Sequence, residues 1–121
     1  MPAALERRFE GLPVTEYPGR LLVVEAKTRK ARALGLSRLD DLDPDHALHI
    51  PKCSSIHMFG MRFPLDLIWL HDNGTVARID REVGRRRIRV CLKAKSVIET
   101  AAGRADAFVA AGVGGSGGTT G

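Results

Sequence analysis

Aromatic residues are scarce: the 121-residue chain has one Trp, one Tyr and four Phe. None lies between Trp69 and Phe108, so the basic stretch in that interval lacks the exposed rings on which single-stranded nucleic acids stack. There are two cysteines, Cys53 and Cys91, too few for a disulfide framework in a chain of this size. No apolar run approaches the ~20 residues that a membrane-spanning helix needs. A Gly-X-Y period, a sustained heptad and an internal repeat are all missing, which excludes collagen-like and coiled-coil architectures. The first eleven residues include Glu6, Arg7, Arg8 and Glu10 and have no apolar signal core. Together with the few cysteines this predicts a cytoplasmic protein, although an exported protein with its leader removed would have the same sequence.

What remains is an ordinary soluble composition, 44% hydrophobic and 27% charged, in a length that suits one domain. The net charge of +5 is local. Six basic residues (Arg85, Arg86, Arg87, Arg89, Lys93 and Lys95) fall between positions 85 and 95 with no acidic residue among them, and the other 13 basic residues nearly balance 14 acidic ones.

Residues 1–20 contain Pro2, Pro13, Pro18, Gly11 and Gly19 and read as a loop-rich segment. The domain proper is expected over 20–112. Apolar runs predict strands at 21–26, 47–50, 65–70, 75–83 and 96–101. A further strand is expected at 86–94, where Ile88, Val90, Leu92 and Ala94 alternate with Arg87, Arg89, Cys91 and Lys93. On that pattern Ile88, Val90 and Leu92 enter the core and the basic residues face water. Asn73-Gly74 between two apolar runs predicts a tight hairpin. Thr28 can cap a short helix over 28–35 that Gly35 ends, and a second short helix fits 103–111. Residues 112–121 are rich in glycine and read as a flexible tail. The expected fold is therefore mainly β, a compact sandwich or barrel-like domain with one or two short helices.

The block from Ile50 to Leu70 contains Pro51-Lys52-Cys53 and then Ser55-Ile56-His57-Met58-Phe59-Gly60-Met61-Arg62-Phe63-Pro64-Leu65-Asp66. An Asp72-Asn73-Gly74 turn follows. Upstream stands Ala33-Leu34-Gly35-Leu36, and downstream Val97-Ile98-Glu99-Thr100-Ala101-Ala102-Gly103. This arrangement resembles the signature of the domain of unknown function 192 family and covers about residues 20–112. The resemblance implies a compact β-rich domain with a small helical part and leaves biochemical activity unassigned. One departure concerns the end: the family usually closes with a Gly-Asp pair leading a last strand, whereas Gly112-Val113-Gly114-Gly115 stands here.

Four polar residues within this block and its downstream segment carry the functional argument. Asp66 sits in a strand that is apolar on both faces, so its carboxylate needs a partner or a raised pKa. Arg62, His57 and backbone N–H groups of the 53–63 loop are candidates. Glu99, among Val97, Ile98 and Ala101, poses the same problem. One reading makes these groups structural clamps. Another makes His57, Arg62, Asp66 and Glu99 a pocket for a small polar or anionic ligand in a non-catalytic binding domain. A hydrolytic enzyme using Cys53 and His57 is an alternative. So is a soft-metal site, copper or zinc, through Cys53, His57 and Met61. Four extended residues span ~13 Å, so the metal reading requires a turn between Cys53 and His57. His46, His49 and Cys91 are more remote ligands.

No cofactor is implied. The run Asp40, Asp41, Asp43 and Asp45 fails as a calcium loop because His46 and Lys52 stand where Gly and Glu are needed. Arg87, Arg89 and Lys93 are candidate anion contacts, but nothing in the segment suits sequence-specific nucleic-acid readout.

Overall fold

The computed structural model describes residues 8–115. At its centre is the strand Leu65–Leu70, every residue of which is buried. The sequence LDLIWL explains this, since both faces of the strand carry large apolar side chains that water would have to solvate. The elements in chain order are β1 (Val14–Tyr17), β2 (Leu21–Glu25), α1 (Arg29–Leu34), β3 (His46–Pro51), β4 (Ser55–His57), β5 (Leu65–Leu70), β6 (Val76–Val83), β7 (Ile88–Val90), β8 (Ser96–Ala101) and α2 (Ala105–Ala110). Six strands form one mixed sheet in the order β1-β2-β3-β8-β5-β6, and β4 pairs with β7 in a separate two-stranded sheet. Among the described residues only β2 and β3 run parallel, and α1 lies in the connection between them. The sheet stays open between β1 and β6 and does not close into a barrel.

Each face of the large sheet has its own core. On one face Leu48, Leu67, Trp69 and Val97 pack with Leu36, Met58, Met61, Cys91 and Ala94. On the other, Val23, Ala47, Ile68 and Ile98 pack with Ala105 and Phe108 of α2 and with Val113. The β-rich architecture matches the expectation from the sequence.

Local signals operate as their chemistry dictates. The Thr28 Oγ1 accepts from the Ala31 N–H at 3.0 Å, and the Gly35 N–H donates to the Ala31 carbonyl at 2.9 Å as α1 ends. The turn between β5 and β6 places Gly74 at φ 87°, but Asn73 is not in the left-handed region. Asn73 acts through its side chain instead, its Oδ1 accepting from the Thr75 N–H at 3.0 Å and the Thr75 hydroxyl at 2.7 Å.

Three expectations need correction or extension. The 86–94 strand is reduced to Ile88–Val90, and its faces are reversed. Cys91 and Ala94 are buried, whereas Ile88, Val90 and Leu92 are 58%, 46% and 84% exposed. The cause is its partner. Arg89 stands opposite Ile56 of β4, and Ile56 packs on the core, so Ile88 and Val90 must face away from it. The loop-rich N-terminal segment contains the edge strand β1, bracketed by Pro13 and Pro18 and antiparallel to β2. Within the segment expected to be flexible, Val113 is fully buried and the Gly114 carbonyl accepts from the Val76 N–H at 3.1 Å. Residues 116–121 of that tail lie outside the described residues.

Candidate functional site

The two buried carboxyls occupy opposite faces of the sheet. Asp66 shares its face with Ile68 and is fully buried. Its Oδ1 accepts from the Glu82 N–H at 2.8 Å, and its Oδ2 accepts from the N–H groups of Gly103 and Ala105, both at 3.0 Å. Three backbone donors from two distant segments thus converge on one side chain. One of them is the first residue of α2, whose own N-cap, Arg104, makes no capping hydrogen bond. Asp66 fills that role from the neighbouring strand. Neither Arg62 nor His57 touches it: the Arg62 side chain is exposed and pairs with Asp40.

Glu99 stands opposite Leu48 on β3 and Leu67 on β5, on the first face. It is buried, and its Oε1 has no hydrogen-bond partner. Desolvation pushes its pKa up from 4.5 to about 7. Gly35, at φ 50°, lies beside it: a Cβ there would sit in ordinary contact, 3.7 Å from Oε1. Glu99 lines a pocket of about 260 Å³ between the end of α1 and strand β4. Cys53, Ser55, His57, Phe59, Met61 and Arg32 are also in the lining. The rings of His57 and Phe59 meet at 5.8 Å, tilted by 41°.

Of the four expected pocket residues, the structure brings His57 and Glu99 to one pocket and sets Arg62 and Asp66 elsewhere. Cys53 and Met61 line the same pocket, although among the described residues no three His, Cys, Asp or Glu side chains gather as a metal-binding group. The Cys53 Sγ–H donates to the Ser55 carbonyl at 3.2 Å. Burial raises the Cys53 pKa, a backbone contact at Ser55 offsets part of the rise, and the Glu99 carboxyl adds to it. That environment favours the thiol over the thiolate. Both cysteines are free.

The aspartate run is spread over local structure. The Asp43 Oδ1 accepts from the Asp45 N–H at 2.8 Å, and Asp45 accepts from Arg104 at 3.2 Å. Arg87 and Lys93 are exposed and Arg89 is half-buried, its guanidinium donating to the Ile88 carbonyl at 3.0 Å.

Sequence reasoning missed one pair. The His49 Nδ1 and the Glu25 Oε1 are 2.7 Å apart on neighbouring parallel strands, and the His49 Nε2 is buried without a partner. The register that joins them depends on the β2–β3 crossover, for which no local motif exists.

The chain matches the domain of unknown function 192 family, described as Uncharacterized ACR, over residues 14–112. It belongs to that family. No curated protein matches it. Among solved structures, this member of the domain of unknown function 192 family is similar to a Sinorhizobium meliloti 1021 protein provisionally described as a transcription regulator. The TM-score is 0.65 and the identity 22%, covering 84% of this chain and 85% of that one. A Novosphingobium aromaticivorans DSM 12444 protein of unknown function is similar with a TM-score of 0.63 and 17% identity, covering 83% and 89% of the two chains. At these identities the likeness establishes the fold alone. Among the described residues no helix is long and apolar enough to cross a membrane.

Proposed function

We propose that this domain is a non-catalytic binding module, and that the pocket between α1 and β4 takes a small polar ligand whose hydrogen-bond donor meets Glu99. The observation that supports this reading is the buried Oε1 of Glu99, an acceptor with no partner in the wall of a 260 Å³ pocket. Leaving such a group unmatched costs about 1–3 kcal/mol, which a donor on a ligand recovers on binding. His57 and Ser55 at the rim offer further hydrogen bonds, and Phe59 and Met61 offer apolar contact. A volume just under the usual range of about 300–1,000 Å³ suits a ligand smaller than a drug-sized molecule. Arg62 and Asp66, occupied with Asp40 and with backbone donors, are outside this pocket. The free cysteines support a reducing compartment such as the cytoplasm.

The test is a thermal-shift screen of small amides, polyols and amines on the native protein and on Glu99→Gln and Glu99→Leu. A binding module gives hits that stabilise the native protein, weaken in the Gln variant and vanish in the Leu variant. Hits that are indifferent to Glu99 would place the binding elsewhere.

A further inference from the structure

We propose that the outer face of the β4–β7 sheet docks on an anionic lipid surface. The face is built by register. Ile88 stands opposite His57 and Val90 opposite Ser55, and Ile88 and Val90 face away from the core side taken by Ile56, while Ser55 and His57 border the Glu99 pocket. Leu92, in the turn after β7, is 84% exposed, and Phe59, in the turn after β4, is 51% exposed. The chain therefore presents aliphatic and aromatic carbon to water on the outer surface of a small sheet whose inner surface already contributes to the core. Scattered exposed apolar residues need no explanation, but four on or within two residues of one small sheet do.

The charges that flank this row along the chain are all positive, and Asp72, which lines one cavity with Leu92 and Lys95, is the acid set against them there. Arg85, Arg86 and Arg87 lead into β7, and Lys93 and Lys95 leave it; all five are exposed. The nearest acid before them, Glu82, lies at the end of β6. Asp80 is taken by the Trp69 indole at 2.9 Å and by Arg78 at 2.8 Å. A cationic frame around an apolar ridge complements the interface of an anionic bilayer, where phosphates lie outside an acyl boundary that admits aliphatic side chains. Nucleic acid fits less well, because branched aliphatic side chains offer bases nothing to stack on, and the exposed rings beside them, Phe59 and His57, are packed against each other.

The measurement is co-sedimentation of the full chain with vesicles of phosphatidylcholine alone and of phosphatidylcholine mixed with phosphatidylglycerol. Two variants accompany the native protein, Ile88→Ser with Leu92→Ser, and Arg85→Gln with Arg87→Gln. All four positions are exposed, and circular dichroism checks that the fold is kept. The native protein should sediment with the anionic vesicles and not with phosphatidylcholine alone. The apolar variant should lose at least about tenfold in affinity, and the charge variant about fivefold per charge removed. Failure to bind anionic vesicles, or equal binding to both vesicle types, overturns the proposal. Unchanged binding by the apolar variant, or an equally tight grip on heparin or on a polyglutamate peptide, also overturns it in favour of plain polyanion attraction. The pocket reading stands or falls separately, since Glu99→Gln leaves this face intact.

Discussion

The Asp66 Oδ2 accepts the backbone N–H of Ala105 at 3.0 Å, so a strand at the centre of the sheet caps the last helix. The same carboxylate holds Gly103 and, through its other oxygen, Glu82. Replacing it strands three donors at once, that of Ala105 buried and those of Glu82 and Gly103 part-buried. Asp66→Ala should therefore destabilise the domain by about 3–5 kcal/mol. Asp66→Asn keeps one acceptor but turns an amide N–H toward backbone donors, and should lose most of the same stability. Urea midpoints of the three proteins check this. A loss under about 1 kcal/mol would mean that the clamp is not needed.

Glu99 gives a pH signature of definite sign. Its folded pKa is raised to about 7 from 4.5, so the folded protein holds a proton that the unfolded chain releases. The stability linked to that proton is fully present below the unfolded value. It declines as pH rises from there and is gone once pH passes the folded value. Between about pH 5 and about pH 8 the native protein should lose up to about 3 kcal/mol from this group. Glu99→Gln, neutral at every pH, should flatten that slope. Chemical denaturation of both proteins across the window supplies the test, and parallel profiles would remove Glu99 as the source.

Much of this arrangement follows from short stretches of chain. Leu65–Leu70, the Thr28 cap and the Asn73-Gly74 turn are local, each decided by residues within a few positions of one another. The partners of Asp66 are backbone groups of Glu82, Gly103 and Ala105, and backbone donors leave no side-chain pattern to read. Arg62 is near Asp66 in sequence, but strand β5 carries the two apart. The reversal of β7 has a similar origin. Ile88, Val90 and Leu92 alternate cleanly with Arg87, Arg89 and Cys91, and alternation says which residues share a face without saying which face is inside. Pairing with β4 decides that, and β4 is only three residues long. The Glu99 pocket needs β8, the β4 segment and the end of α1 together. Its one legible sign is a carboxyl set among apolar residues.

Cys53 should behave as a resting thiol. Its pKa is raised chiefly by burial, and its Sγ–H is held by the Ser55 carbonyl. Alkylation by iodoacetamide at neutral pH should run at least about tenfold slower than for an unstructured cysteine. Cys91, buried, should react only after unfolding. Peptide mass spectrometry over a time course separates the two residues. Alkylation of Cys53 faster than that of a free thiol would revive the nucleophilic reading with His57.

The basic segment makes the last prediction, which concerns nucleic acid. Arg87 and Lys93 are exposed, yet the element between them is a three-residue strand with no recognition helix beside it. Nothing there can enter a major groove and present side chains to base edges. Attraction to phosphates should persist, since the segment has six positive charges and no acid. Such attraction rests on counterion release and falls steeply with added salt. Titrations with DNA duplexes of unrelated sequence should give equal, weak affinities at low salt. At about 0.15 M salt these affinities should collapse together. Charge-removing changes at Arg85, Arg87 and Lys93 should lower all of them alike and reduce the salt slope by about one unit for each phosphate that is no longer neutralised. A duplex that binds selectively and keeps its affinity near physiological salt would instead show base readout.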